Sequence, residues 1–280
     1  MHVHHHAAHH AYAAPAHVIA AIVATPRPPV GTRSTGCGIA TTAAGLSEQT
    51  LIVRGLPRTF LLVVPSGYDP AVALPLVYGF HGRTGTPASV RGYMHLEREA
   101  AGGALFVYPA GLRETPSGSE RSITHWEVGP DGADIAFFDA ILENIAATYC
   151  IDRGRVFVAG HSAGASVTNE IGCQRGNVVR AIAPVAGSGP FERRCTSPPS
   201  VWLTHGRADA PVAFHYGESS RDHWVAAAHC NPEPVLLANS SCEHYVNCAD
   251  DARVMFCPHD GDHGPPPFAP HDIWAFFSQP

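Results

Sequence analysis

Arg155-Val156-Phe157-Val158-Ala159-Gly160-His161-Ser162-Ala163-Gly164 is the stretch on which the fold turns. Val156 to Ala159 is a short apolar run of the kind that forms a buried strand. Beyond it, Ala165-Ser166-Val167-Thr168-Asn169-Glu170-Ile171 can continue as a helix. Strand, G-x-S-x-G and helix, in that order, hold a serine on a sharp turn with its hydroxyl exposed. The turn is crowded, so a side chain at Gly160 or Gly164 would collide with a neighbouring strand or helix. A plainer reading of the same residues is a strand-to-helix turn in which Ser162 caps the helix.

Outward from this turn, strand and helix signals alternate. Leu51 to Val53 and Thr59 to Val64 read as two strands joined through Gly55-Leu56-Pro57, an antiparallel hairpin. Leu76 to Phe80, Ala104 to Tyr108, Ala181 to Val185, Val201 to His205 and Arg253 to Cys257 are further apolar runs. From Asp134 to Tyr149, Ile135, Phe138, Ile141, Leu142, Ile145 and Tyr149 recur at three- and four-residue spacing, which predicts a helix with Asp134 as its N-cap. Ser219 to Ala228 predicts another, and Ile273, Trp274, Phe276 and Phe277 a terminal one. Continuous apolar strands separated by helices predict an α/β fold: a mostly parallel sheet with helices on both faces.

The chain has 280 residues, 45% hydrophobic and 15% charged, enough for one large core. We expect a His-rich leader and linker over residues 1–35 and a single catalytic domain over 36–280. His2, His4, His5, His6, His9, His10 and His17 crowd the leader, and Pro26 to Gly36 reads as a Pro/Gly/Thr-rich linker. Ala11-Tyr12-Ala13-Ala14-Pro15 has the small residues that end a signal peptide, without the charged and apolar regions that precede one. A net charge of -6 at pH 7 leaves no basic face for nucleic acid. No apolar run approaches the ~20 residues that span a bilayer. The cysteines are Cys37, Cys150, Cys173, Cys195, Cys230, Cys242, Cys248 and Cys257. Their even number, without paired C-x-x-C spacing, predicts disulfides rather than a zinc ribbon, and hence a secreted or periplasmic protein. Their connectivity is not legible.

A serine hydroxyl needs a base to take its proton, and the base needs an orienting carboxylate. On a sheet of this kind the order along the chain is Ser, then Asp or Glu, then His, with both partners in loops at strand C-terminal ends. Val201-Trp202-Leu203-Thr204-His205-Gly206-Arg207-Ala208-Asp209 runs from an apolar strand through a Gly turn to an acid, which nominates Asp209 over Asp222, Asp250 and Asp251. Pro258-His259-Asp260-Gly261-Asp262-His263-Gly264 follows the last strand and nominates His263 over His259 and His271. Two backbone N–H groups must meet the developing oxyanion. One falls to Ala163; the other to Arg83, with Thr84 the near alternative, in the Gly-containing loop after Phe80. Tyr108 and Trp126, each of which could equally be core, and His161 are candidates for lining a substrate pocket. This chemistry calls for no metal and no organic cofactor.

Together these pieces resemble secreted alpha/beta-hydrolase esterases of the feruloyl esterase and polyhydroxybutyrate depolymerase group, in carbohydrate esterase family 1. The resemblance runs from about Cys37 onward. It is carried by Arg58 to Pro70, His81-Gly82-Arg83, Tyr108-Pro109, Asp134 to Asp139, Cys150 to Val156, the serine turn, His205 to Asp209, Gly217 to Trp224 and Gly261-Asp262-His263. It implies the alpha/beta-hydrolase fold, a Ser162–His263–Asp209 triad and oxyanion amides at Arg83 and Ala163. Depolymerase-like members often carry Cys after the His-Gly pair, where this chain has Arg83. Another departure is Gly264-Pro265-Pro266-Pro267 where Trp-Pro commonly follows the histidine. The first favours feruloyl-esterase-like action on hydroxycinnamoyl esters of plant polysaccharide. The alternatives are a polyhydroxyalkanoate or other polyester depolymerase, and a catalytically inactive secreted carbohydrate-binding protein.

Overall fold

The computed structural model describes residues 26–40, 44–115, 117, 123–130, 132–191, 194–236 and 240–279. The His-rich tract, Ala11 to Pro15 and the apolar Val18 to Ala24 lie outside them.

The chain opens with β1 (Gly45–Val53) and β2 (Leu56–Val64), an antiparallel hairpin in which Val53 pairs with Leu56. The turn is therefore tighter than Gly55-Leu56-Pro57: it is Arg54-Gly55 alone, with φ of 51° and 79°. Two consecutive positive φ values suit the twist of a two-residue hairpin, and the glycine takes one of them without strain. Then come β3 (Leu74–Phe80), α1 (Pro87–Met94), α2 (Leu96–Ala100) and β4 (Leu105–Pro109). A small hairpin, β5 (Leu112–Glu114) with β6 (Ile123–His125), precedes α3 (Ala133–Thr148). The second half runs β7 (Ile151–His161), α4 (Ala163–Gln174), β8 (Ala181–Val185), β9 (Ser200–Gly206) and α5 (His215–Ala227). It finishes with β10 (Val235–Leu236), β11 (Glu243–Tyr245), β12 (Val254–His259) and α6 (Ala269–Ser278).

One sheet has the order β1-β2-β4-β3-β7-β8-β9-β12-β11-β10. Its centre, from β4 to β12, is parallel, and an antiparallel pair closes each edge. Strand alternation sorts the core onto two faces. Leu76, Tyr78, Leu105, Val107, Val156, Val158 and Phe256 pack under α3, α4 and α5. Val77, Phe106, Tyr108, Phe157, Ala159, Trp202 and Cys257 pack under α1, α2 and α6. Phe157 stacks on Phe277 of α6 at 4.6 Å; each such buried ring contributes about 1.5–3 kcal/mol.

The helix expected from Asp134 is present, but Asp134 is not its cap. Gly132 occupies that position, while the Asp134 carboxylate turns inward to the buried Arg58 guanidinium. The segment expected to be a linker also differs. Arg27 donates to the carbonyls of Gly176, Ser197 and Pro198, Gly31 N–H donates to Asp152, and Gly36 N–H to Ala146 O at 2.8 Å. Residues 26–36 thus belong to the body of the domain, pinned at their end by the Cys37–Cys150 disulfide. Backbone groups that find partners in the fold can order a Pro-rich stretch that has no periodic signal of its own.

β3 and β7 are neighbours whose onward connections leave in opposite directions, β3 toward β4 and β7 toward β8. Their ends are in register, Phe80 opposite Gly160. A crevice opens at such a switch point, outside the carboxyl ends of the strands.

Candidate active site

Ser162 stands at this crevice, between β7 and α4, with φ 59° and ψ −122°. Such a backbone costs a non-glycine residue about 1–3 kcal/mol and persists only where the surroundings enforce it. Here the Ser162 N–H is held by the Val185 carbonyl at 2.9 Å. A Cβ on Gly160 would lie 2.3 Å from Gly164 O, and one on Gly164 would lie 2.1 Å from Phe80 O. Only glycines allow the strand, the turn and β3 to approach so closely. The Ser162 side chain makes no cap bond to α4, so the hydroxyl is left for other partners.

That partner is His263, whose Nε2 lies 2.9 Å from Ser162 Oγ. His263 reaches the turn from the loop after β12, and its Nδ1 lies 2.8 Å from Asp209 Oδ2. A carboxylate only accepts, so Nδ1 carries the proton and Nε2 is bare toward the serine O–H. Asp209 follows β9, and its side chain is fully buried. Its Oδ1 accepts the Val212 N–H at 2.8 Å, and the Nε2 of buried His205 lies 3.1 Å from Oδ2. His205 Nε2 also donates to Val212 O at 2.7 Å. The Asp209 loop is thereby closed on itself behind the imidazole.

Across the crevice, the loop after β3 is built around His81. This ring is fully buried; its Nδ1–H donates to Gly82 O at 2.7 Å and its Nε2 accepts the Gly111 N–H at 3.0 Å. Burial lowers the His81 pKa, which keeps the neutral tautomer these two bonds require. The Trp126 indole donates to His81 O at 2.9 Å and packs on both Phe80 and His81. A Cβ on Gly82 would lie 3.2 Å from Ser162 Cβ, so the loop passes directly over the serine. The Thr84 N–H is already given to Thr124 O at 3.2 Å. The Arg83 side chain is exposed.

The structure therefore brings Ser162, His263, Asp209, the Gly82–Arg83 loop and the start of α4 to one place. It does not bring the rivals there. Asp222 is paired with Arg221, and Asp250 and Asp251 are exposed. His259 Nδ1 accepts the Gly261 N–H, and His271 sits beside Asp272 on α6.

The suggested pocket residues are redistributed. Tyr108 points to the α1–α2 side, is 1% exposed and donates to Glu97 Oε1 at 2.8 Å, so it is core rather than pocket. Trp126 braces the loop after β3. His161 has both ring nitrogens engaged by protein, so neither is left for substrate. The roles of His81, His205 and Tyr93 escaped sequence reasoning. His81 at a strand end before a glycine was the one visible signal; the others depend on contacts between distant segments.

Among the described residues one group of His, Cys and carboxylates is close enough to hold a metal: Cys173, Cys195 and His223. Cys173 and Cys195 are joined in a disulfide and offer no thiolate. The other pairs are Cys230–Cys248 and Cys242–Cys257, and no cysteine is free. No helix among the described residues is long and apolar enough to cross a membrane.

A mostly parallel sheet covered by helices, with a serine turn at its switch point, defines the alpha/beta-hydrolase class. Solved structures agree on the fold. An acetyl xylan esterase from Aspergillus awamori superposes with a TM-score of 0.64 at 17% identity, covering 83% of this chain and 100% of that one. A family-1 ferulic acid esterase from Anaeromyces mucronatus, solved with ferulic acid, gives 0.55 at 16% identity over 85% and 91%. In sequence the chain is similar to feruloyl esterase D of Neurospora crassa, 27% identical over 274 residues, 88% of this chain and 90% of that protein. It is also similar to feruloyl esterase C of Emericella nidulans, 28% identical over 265 residues, 88% and 92% of the two. No protein-family model matches the chain. The chain is a carboxylic ester hydrolase with feruloyl esterases among its homologues.

Proposed function

We propose that the protein is a secreted serine esterase that cleaves hydroxycinnamoyl esters of plant polysaccharide through an acyl-enzyme. The observation that carries the mechanism is a single imidazole, that of His263, within 2.9 Å of Ser162 Oγ and 2.8 Å of Asp209 Oδ2. The substrate class is supported by similarity to feruloyl esterases along most of the chain. Secretion is supported by four disulfides.

His263 Nε2 takes the Ser162 proton as Oγ attacks the ester carbonyl. Asp209 holds the Nδ1–H tautomer and stabilises the imidazolium. The carbonyl oxygen becomes an oxyanion, met by the N–H groups of Arg83 and Ala163. Ala163 is the first residue of α4, so its N–H has no partner within the helix and the helix dipole favours negative charge there. The Thr84 N–H is already engaged, which favours Arg83 for the second donor. Each donor is worth about 2.7–4 kcal/mol in the transition state. The intermediate collapses, and His263 returns the proton to the departing alcohol oxygen. Water then attacks the acyl-serine, giving its proton to His263, and the acid leaves with the serine restored.

Initial rates on methyl ferulate and on a 3-hydroxybutyrate oligomer test the substrate class. Release of ferulate with little oligomer cleavage is expected. Cleavage of the oligomer alone would replace this reading with a polyester depolymerase.

A further inference from the structure

Tyr93 and His161 take no part in the steps above, yet both stand at the crevice. His161 precedes the serine at the end of β7, and Tyr93 lies in the last turn of α1, the helix that follows the Gly82–Arg83 loop. His161 Nε2 lies 2.7 Å from the backbone oxygen of His263. A carbonyl only accepts, so Nε2 carries the hydrogen. Burial keeps the His161 pKa below its ordinary value and the ring neutral, so Nδ1 is a bare acceptor. The Tyr93 hydroxyl, 3.3 Å away, is the donor that meets it, with the rings edge-on at 5.3 Å. Burial pushes Tyr93 up to about 12, so its hydroxyl keeps its proton and can donate. The order is therefore directional: Tyr93 O–H to His161 Nδ1, then His161 Nε2–H to His263 O.

We infer that Tyr93 and His161 are positioning residues, a hydrogen-bonded strap from α1, the helix after the Gly82–Arg83 loop, that holds the His263 loop in register with Ser162. The strap ties together three segments far apart in the chain: α1, the end of β7 and the loop after β12. Its chemistry suits the task, because every link has one donor and one acceptor and no link needs a charge. A displacement of about 1 Å in a reacting group costs on the order of 100-fold in rate. Holding the backbone of the general base is therefore worth a substantial factor in turnover and little in substrate affinity.

This inference rests on the serine-hydrolase reading, and one set of measurements separates the two. Wild type, His161→Leu, His161→Gln and Tyr93→Phe are compared for kcat and KM on methyl ferulate, for melting temperature, and for labelling by a fluorophosphonate. His161→Leu is expected to lower kcat about 10- to 100-fold with KM changed less than about twofold. His161→Gln keeps an amide N–H for the His263 carbonyl and is expected to recover kcat to within about fivefold of wild type. Tyr93→Phe, which removes only the outer link, is expected to lose about 3- to 10-fold. Should His161→Leu fail to fold, Tyr93→Phe and His161→Gln carry the test. Wild-type turnover in the variants that fold would overturn the strap, as would a Gln variant no better than a folded Leu variant. Failure of wild type itself to label would remove the serine-hydrolase reading instead.

Discussion

Asp152 at the start of β7 and Asp209 beyond the end of β9 are both buried, and their partners set them apart. Asp152 accepts the N–H groups of Gly31 at 2.8 Å and Gly154 at 2.9 Å, and Arg155 Nε at 2.7 Å. Asp134, bound to Arg58, is held in the same manner. A guanidinium never releases its proton, so these two aspartates are pins. Asp209 is bound instead by a backbone N–H and two imidazoles, one of which also touches the serine. An imidazole can accept and give up a proton, so in the proposed mechanism the same carboxylate serves a relay. On the proposed mechanism, the start of β7, where Asp152 sits, is built to stay shut, and its far end, where Ser162 stands, to move protons.

The largest expected effect is at the relay. Ser162→Ala is expected to lower kcat by about 10⁵–10⁶-fold, and Asp209→Asn by about 10⁴-fold, with the far-ultraviolet circular dichroism of wild type. Esterase assays on the purified variants check both. At the shut end the sign of the comparison reverses. Replacing Cys37 and Cys150 by Ala opens a link between residues 113 apart and is expected to lower stability by about 2–5 kcal/mol. Urea titration measures this, and kcat of the folded fraction should stay within about twofold of wild type. Asp152→Ala leaves Arg155 and two N–H groups without their acceptor and is expected to cost about 2–3 kcal/mol in the same assay, again with kcat retained. A large loss of kcat at constant stability in Asp152→Ala would erase the distinction between the two ends.

Why the meeting of Ser162, His263 and Asp209 was legible while the pins were not follows from where the information sits. Gly160, Ser162 and Gly164 are neighbours in sequence, and steric crowding makes the pattern nearly self-interpreting. Asp209 and His263 were reachable because a parallel sheet sends strand C-terminal ends to one side, so chain order stands in for space. Tyr108 stayed open between pocket and core because β4 is apolar at every position, so alternation did not reveal which face its ring takes. Asp134 resembled a cap because the helix begins near it, whereas its partner Arg58 lies 76 residues away. Pro26 to Gly36 has no periodicity, and its order comes from hydrogen bonds to the residues around Ala146, Asp152, Gly176 and Ser197. Tyr93 and His161 meet only after β3, β7 and the loop after β12 have converged.

The smallest expected effect sharpens the contrast through pH. Burial lowers the folded pKa of His81 and of His161 below the ordinary value of 6.5. The unfolded chain therefore takes up these protons first as pH falls. Their contribution to stability is full above about pH 6.5 and is lost progressively below it, toward the folded values. Melting temperatures between pH 7 and pH 5 should fall, and the slope should be shallower in His81→Gln than in wild type. An unchanged slope in that variant would show that His81 does not contribute.

The relay itself is tested most directly by intact-protein mass measurement after treatment with a fluorophosphonate, followed by peptide mapping. Wild type is expected to gain one adduct on Ser162, and Ser162→Ala none. A wild-type protein that stays unmodified, or a Ser162→Ala protein that still gains the adduct, would contradict the assignment of this serine as the activated nucleophile.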